Sequence, residues 1–444
     1  MQFQTTDASA IIDRIEIKPH SGRVDGTIRP PGSKSITNRA LMIAAMAEGK
    51  SLLVGGLESD DTHFMCESLK RLGVGVTHTS HCASRVGSQA LSISGSAGKF
   101  AEESAQLFIG NSGTSVRFLT AMLGIHGGDY RLDGVPRMRQ RPIGPLVDAL
   151  NQLGANVTAE SFGGCPPVRI NNIRLTGGET KVGGSISSQY LSGLLMAAPL
   201  AESDVLIQVT GDLISKPYVT MTLAVMKSFG VEVDVDSEMK NFRFSKGSRY
   251  IGREYAIEPD ASAASYFWAA AAICGGTAKV TGLHRNALQG DVEFVDCLEK
   301  MGCRVAEGED WISITGPATQ GADLDMGHIS DTVQSLAAVA LFVDGPTTVR
   351  NIAHNRVKET DRIGNLAIEL RKLGARVDEF EDGLTIHPEK TQPAEIETYD
   401  DHRMAMSLSL VGLRQAGVII KDPKCVSKTY PRFFQDMNQF LKQG

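Results

Sequence analysis

The chain of 444 residues is missing the features that mark several large protein classes. Its seven cysteines, at 66, 82, 165, 274, 297, 303 and 425, form no Cys-x-x-Cys pair. An odd, scattered set without an export signal reads as reduced, mostly buried thiols. No apolar run approaches the roughly 18 residues that span a bilayer; "LAAVALFV" (Leu336–Val343) is short. Positive charge is not in excess. The net charge of −6 gives no general attraction to nucleic acid or anionic membrane, and no basic stripe is interleaved with aromatics. The first residues carry acids and no apolar core of a signal peptide, so a cytoplasmic protein is expected. There is no Gly-x-Ser-x-Gly elbow. "GSKS" (Gly32–Ser35) resembles half of a nucleotide phosphate loop but fails its test. Ser33 separates Gly32 from Lys34, and Ile28 stands where the first glycine belongs.

What is present is repetition. "LKRLGVGV", "LNQLGANV", "MKSFGVEV", "LEKMGCRV" and "LRKLGARV" place Gly73, Gly154, Gly230, Gly302 and Gly374 about 75 residues apart, and the chain stops at "FLKQG". Each ending is a helical pattern, a glycine stop and a β-branched run, a helix turning into a strand. The six units also begin alike: "GSKSITNRALMIAAMA", "NSGTSVRFLTAML", "SISSQYLSGLLMAA", "DASAASYFWAAAAI", "DTVQSLAAVALFV" and "DDHRMAMSLSLV". Each is a small polar or acidic cap followed by a helix apolar nearly all round, hence buried. Six two-helix α/β modules make two domains of three. Capped helix starts bind anions through unpaired N–H groups and the helix dipole, although Ser, Thr and Asp also cap helices with no such purpose. Cations inside the first turns, Lys34, Arg39, Arg117 and Arg403, are more than a cap requires.

Other charged stretches point the same way. In "NRVKETDRIGNLAIELRKLGA", Ile363, Leu366, Leu370 and Leu373 define a buried face; Lys358 and Arg362, four apart, are expected to project together. Glu359 lies at the entry of that face. "TYDDHRMAMSLSL" sets His402 and Arg403 behind two Asp caps. Of Arg137, Arg139 and Arg141, one is expected to face inward. "HTSHC" (His78–Cys82) has ligand-like spacing in a Ser-rich loop with no further ligands nearby, a weak metal candidate.

Taken in order from about Gly26 to Phe434, "PGSKSITNRAL", "GNSGTSVRFL", "PRMRQRPI", "SISSQYLSGLLMAAP", "SKPYVTMT", "NRVKETDRI", "DDHRMAMS" and "DPKCVSKTYP" resemble the signature segments of the 5-enolpyruvylshikimate-3-phosphate (EPSP) synthases. The resemblance implies an α/β protein of two similar domains, each of three repeated α/β units (an inside-out α/β barrel), with the active site in the interdomain cleft. One domain would be discontinuous, residues 1–31 with 259–444, and the other would be 32–258. It implies transfer of the enolpyruvyl group of phosphoenolpyruvate to the 5-hydroxyl of shikimate 3-phosphate, with release of phosphate. No metal or organic cofactor, nucleic acid or membrane is implied, and the protein is expected to be a monomer.

Carried over motif by motif, Lys34 would touch both substrates. Ser35, Arg39, Ser187, Ser188, Gln189, Ser215 and Tyr218 would bind shikimate 3-phosphate, with Asp331 and Lys358. Asn111, Gly113, Arg141, Gln189, Arg362, Arg403 and Lys428 would bind phosphoenolpyruvate. Asp331 would be the base for the attacking hydroxyl and Glu359 the proton donor to the methylene carbon. The chemistry explains such a set. Like charges a few ångströms apart repel by about 4 kcal/mol at an effective dielectric of 20, and cations with helix N-termini offset that. The chain departs from the common motif at Ser112 and at Phe118, which replaces a proline at the start of a helix lining the phosphoenolpyruvate pocket. His354 and Asn355 stand where the family often has Asn-Trp. Transferases of the same fold acting on a UDP-amino sugar would carry a reactive cysteine where this chain offers "PRMRQRPI". An ATP-dependent phosphotransferase is disfavoured by the missing glycine, and a non-catalytic module by the full set of charged residues.

Overall fold

The computed structural model describes residues 13–81, 88–171, 175–185 and 187–444. They fall into two compact units. One holds Gly32–Glu258, and the other the segment up to Pro31 together with Pro259–Gly444.

The Gly32–Glu258 unit contains α1 (Lys34–Met46), α2 (Asp60–Arg71), α3 (Gly113–His126), α4 (Gly144–Gln152), α5 (Ser188–Ala197) and α6 (Lys216–Ser228). The second unit contains α7 (Ala261–Cys274), α8 (Phe294–Lys300), α9 (Val333–Ala340), α10 (Gly364–Lys372), α11 (His402–Ser409) and α12 (Phe433–Leu441). The odd-numbered helices are buried on almost every side, as their sequences require: all eight residues of α9 and of α11 are buried. The even-numbered helices each keep an exposed face.

Every module has the same plan, a parallel strand pair crossed over by its buried helix and extended by antiparallel strands. Ser104–Phe108 and Asp129–Asp133 pair in parallel across α3, Gly178–Gly183 and Val205–Thr210 across α5, and Ala394–Ile396 and Val418–Lys421 across α11. Parallel neighbours need such a crossover, and a buried one must be apolar all round. In two modules the first strand is distant in sequence. Val24–Ile28 pairs with Gly276–Thr281 beside α7, and Glu254–Ala256 with Lys50–Val54 beside α1. Residues Gly32–Glu258 are thus inserted between the first strand of one module and its helix. Among the described residues five sheets have four strands. The sixth has three, its return strand supplied by Arg14–Ile17.

The repeated glycines do what the sequence predicts. All five have φ between 83° and 105°. In each case the next N–H returns to a carbonyl five residues back, as Val74 to Leu69 (3.0 Å) and Ala375 to Leu370 (3.1 Å), which is the Schellman arrangement. Within the second unit the three buried helices also share polar atoms. The Ser335 hydroxyl lies 2.9 Å from that of Ser265 and 3.3 Å from that of Ser407, joining α7, α9 and α11.

Two local expectations need correction. Residues 358–363 are not helical. A short 3-10 turn, Ala353–Val357, precedes them and α10 begins at Gly364, so Lys358 and Arg362 are not neighbours by helical spacing. Asp331 does not cap a helix. It sits within a 3-10 turn, Ser330–Thr332, ahead of α9, and its carboxylate is taken by cations. Among the described residues no helix is long and apolar enough to cross a membrane.

Candidate active site

In the Gly32–Glu258 unit the "GSKS" turn is sterically fixed. A Cβ on Gly32 would lie 1.9 Å from the carbonyl oxygen of Gly55. Ser33 then caps α1, its hydroxyl accepting from the Ile36 N–H, and Lys34 enters the helix with Nζ 3.4 Å from Asp61. Arg39, one turn past Ser35, is buried and pairs with no carboxylate among the described residues. It donates to the Thr222 hydroxyl (2.8 Å), the Ser35 carbonyl (2.9 Å), the Ser192 hydroxyl and the Tyr218 carbonyl (3.2 Å each). Burial lowers its pKa to about 10. Four of its five N–H groups are engaged by neutral protein acceptors, so it ties α1 to α5 and α6 as well as supplying charge.

The start of α3 gathers a second group. Ser112 caps it through the Ser115 N–H. Arg141, the inward member of its arginine triplet, donates to the Asn111 carbonyl at 2.9 Å. Arg117 donates to the Gly113 carbonyl (3.1 Å) and to Gln189 Oε1 (2.8 Å), while the Gln189 amide reaches Thr114. A Cβ on Gly113 would fall 2.5 Å from both the Arg117 and Arg141 guanidinium nitrogens. Glycine is there to let two cations converge on a helix N-terminus. Phe118 is not at the helix start. It lies in the second turn, fully buried, with the Arg39 guanidinium 5.3 Å from its ring centroid. Ser187 caps α5 through the Gln189 N–H, and Ser188 opens the helix. Ser215, at φ 53°, precedes α6, which carries Tyr218. Ile186 lies outside the described residues.

The second unit brings the other predicted residues into one ionic network. Asp331 accepts from Lys358 Nζ (2.7 Å) and Arg362 Nη1 (3.1 Å) on one oxygen and from Arg403 Nη2 (2.7 Å) on the other. Arg362 also reaches Glu359 at 2.8 Å and forks onto Asp401 at 2.7 and 3.0 Å. Lys428 lies 3.8 Å from Glu359. Asp401 does double duty as N-cap of α11, accepting the Arg403 N–H at 2.9 Å; Asp400, at φ 55°, stands outside the helix. The contacts of Arg362 raise its pKa against the desolvation of its burial. Burial lowers that of Lys358, although Asp331 opposes the shift. His354 donates to or accepts from Ser330 at 2.8 Å, and Lys358 reaches the same hydroxyl at 3.1 Å. Burial and the Lys358 charge push the His354 pKa down to about 3, so the ring is neutral.

The sequence singled out Arg117 only as a cation at a helix start. The structure makes it the link between Gly113 and Gln189. Asp401, read as a cap, is also the principal partner of Arg362. His78–His81 of "HTSHC" lie in a strand, Gly75–His81, rather than in a loop; His78 is exposed and pairs with Glu58 at 3.0 Å, and Cys82 lies outside the described residues.

Residues 19–437 match the family model described as EPSP synthase (3-phosphoshikimate 1-carboxyvinyltransferase). The chain belongs to the EPSP synthase family. A 3-phosphoshikimate 1-carboxyvinyltransferase of Nostoc punctiforme is 44% identical over 97% of this chain and 100% of its own length. One of Escherichia coli O1:K1 is 49% identical over 95% and 98%. The solved EPSP synthase of Acinetobacter baumannii superposes with a TM-score of 0.78 at 27% identity, covering 96% of this chain and 98% of that one. The residue range matched by the family model includes every residue of the two charged groups above.

Proposed function

We propose that this chain transfers the enolpyruvyl group of phosphoenolpyruvate to the 5-hydroxyl of shikimate 3-phosphate, releasing phosphate by addition and elimination. The observation that carries the reading is the pairing of two carboxylates, Asp331 and Glu359, on the two sides of one buried guanidinium, Arg362. The reaction needs two such groups in different roles. Asp331 takes the proton of the attacking hydroxyl as the new C–O bond forms. Glu359 delivers a proton to the methylene carbon. In the elimination the methyl group gives a proton back and phosphate leaves.

The cations set the timing. Asp331 is neutralised by three of them, which makes it a poor base at rest. Glu359 lies against Arg362 and Lys428, which favour its ionised form. Substrate carboxylate and phosphate groups compete for the same cations. Their arrival frees Asp331 to accept a proton and allows Glu359 to keep one, so both become competent when the substrates are bound. Arg362, Arg403 and Lys428, with Asn111, Gly113, Arg141 and Gln189, take phosphoenolpyruvate. Ser35, Arg39, Ser187, Ser188, Gln189, Ser215 and Tyr218, with Lys358 and Asp331, take shikimate 3-phosphate, and Lys34 serves both. We treat the two compact units as the domains of the enzyme. The test is release of phosphate from phosphoenolpyruvate, measured with shikimate 3-phosphate and with a UDP-amino sugar. Release with shikimate 3-phosphate supports the assignment; release only with the amino sugar overturns it.

A further inference from the structure

One buried acid in the second unit has no part in the chemistry above. Asp291 lies in a 3-10 turn, Gly290–Glu293, ahead of α8 and is 4% exposed. One carboxyl oxygen bonds the Ser262 hydroxyl of α7; the other has no hydrogen-bond partner among the described residues. Among the described residues no Lys or Arg forms an ion pair with it. In this it differs from Asp331, Glu359 and Asp401, each held by at least one cation. The Ser262 hydroxyl in turn accepts from Arg403 Nη2 at 3.4 Å, the nitrogen that holds Asp331 at 2.7 Å. A continuous line therefore runs Asp291–Ser262–Arg403–Asp331.

We propose that Asp291 is a positioning residue that works as a neutral carboxylic acid, fixing Ser262 and through it Arg403 while leaving the charge of Arg403 to Asp331 and to the substrate anion. An isolated carboxylate out of water is avoided by taking up a proton, and an unpartnered carbonyl oxygen is far less costly than an unpartnered anionic one. The network supplies a second reason. Its ion pairs join four cations (Lys358, Arg362, Arg403 and Lys428) to three carboxylates. A fourth negative charge beside Arg403 would cancel the surplus that an anionic substrate needs. The groups facing Asp291 are Ser262 and the capping Asp260 of α7, Asp331 ahead of α9, and Arg403 of α11. Burial first and then the Asp331 charge raise its pKa to about 7, against the opposing pull of Arg403 and Ser262.

Two readouts test this, and only the second rests on the proposed reaction. Infrared difference spectra of the substrate-free protein between about pH 5.5 and about pH 8.5 should show a carboxylic-acid C=O band that is lost on raising the pH. The band should vanish in Asp291→Asn and move in frequency in Ser262→Ala, which keeps the acid but removes its partner. A wild-type protein without such a band, or a band unchanged in both variants, overturns the inference. In kinetics, Asp291→Ala should raise the KM for phosphoenolpyruvate about tenfold, the loss expected for one misaligned charged contact. Asp291→Asn, which can still bond Ser262 and cannot ionise, should recover most of that loss. It should also abolish the rise in KM that ionisation of Asp291 is expected to cause in the wild type as pH passes about 7. An Asn variant whose pH profile parallels the wild type contradicts the proposal. A titrating band in a protein that releases no phosphate leaves the neutral acid standing and refutes the assigned reaction instead.

Discussion

Removing Asp401 should destabilise the second unit more than any other single carboxylate change, and the structure gives the size of the effect. Asp401 is fully buried, forks onto the equally buried Arg362, and caps α11 through the Arg403 N–H. Breaking a buried ion pair from one side costs about 3–5 kcal/mol, because the remaining charge is stranded. Arg362 would keep Glu359 and Asp331, which places the loss at the low end, about 3 kcal/mol. The cap adds about 1 kcal/mol. Asp401→Asn retains the cap and the shape, and should lose about 3 kcal/mol; Asp401→Ala should lose about 4 kcal/mol. Either is a large part of the roughly 5–15 kcal/mol that holds a domain folded. Both tryptophans, Trp268 and Trp311, belong to this unit, so their fluorescence during urea unfolding reports on it alone. A midpoint within error of wild type for Asp401→Ala would show that Arg362 does not depend on this partner, and the ionic network as described would be wrong. Equal losses for Ala and Asn would refute the cap.

Three other outcomes follow from particular contacts. Gly113→Ala should raise the KM for phosphoenolpyruvate about tenfold, because its Cβ would sit 2.5 Å from the Arg117 and Arg141 nitrogens and push them outward; an unchanged KM would separate those arginines from the substrate. His354 is held neutral in the folded protein, with its pKa lowered to about 3 from an ordinary 6.5. The unfolded chain therefore binds the proton more readily, and stability is fully present above about pH 6.5 and falls as the pH drops toward 3. His354→Gln should lose less stability than wild type between about pH 7 and about pH 4.5 on the tryptophan signal; identical acid profiles would contradict this. For Asp291 the sign is opposite. Its raised pKa means that its contribution is present below about pH 4 and is lost as the pH rises through 7, so the stability gap between wild type and Asp291→Asn should move in favour of Asn over that range. A gap that does not change with pH would speak against a protonated Asp291.

Much of the fold was open to reading in the residues because its rules are local. A glycine at the end of a helical pattern needs only its own φ and two backbone bonds, and all five repeats deliver them. Helices apolar on every side must be buried, and α9 and α11 are. The segment around Lys358 was misread because charge spacing alone does not distinguish a helix from a loop. Lys358 and Arg362 meet through a shared carboxylate, Asp331, 27 residues from one and 31 from the other. Asp331 and Asp401 both looked like caps, and only packing shows that one is a cap and the other the centre of three cations. Asp291 carried no signal at all. Its isolation comes from surroundings contributed by α7, by the turn before α9 and by α11, which no window of sequence contains.

In the proposed reaction Glu359 gives the proton that turns the enol carbon into an acceptor. The most direct measurement is the reaction run in D2O with phosphoenolpyruvate and shikimate 3-phosphate, following deuterium in the methylene group by NMR. In the wild type, protonation followed by loss of a methyl proton should place deuterium in the enolpyruvyl methylene of the product. Glu359→Gln, which preserves shape but holds no acidic proton, should lower both turnover and label by about a hundredfold or more. Near-normal turnover or undiminished label in Glu359→Gln would contradict the account.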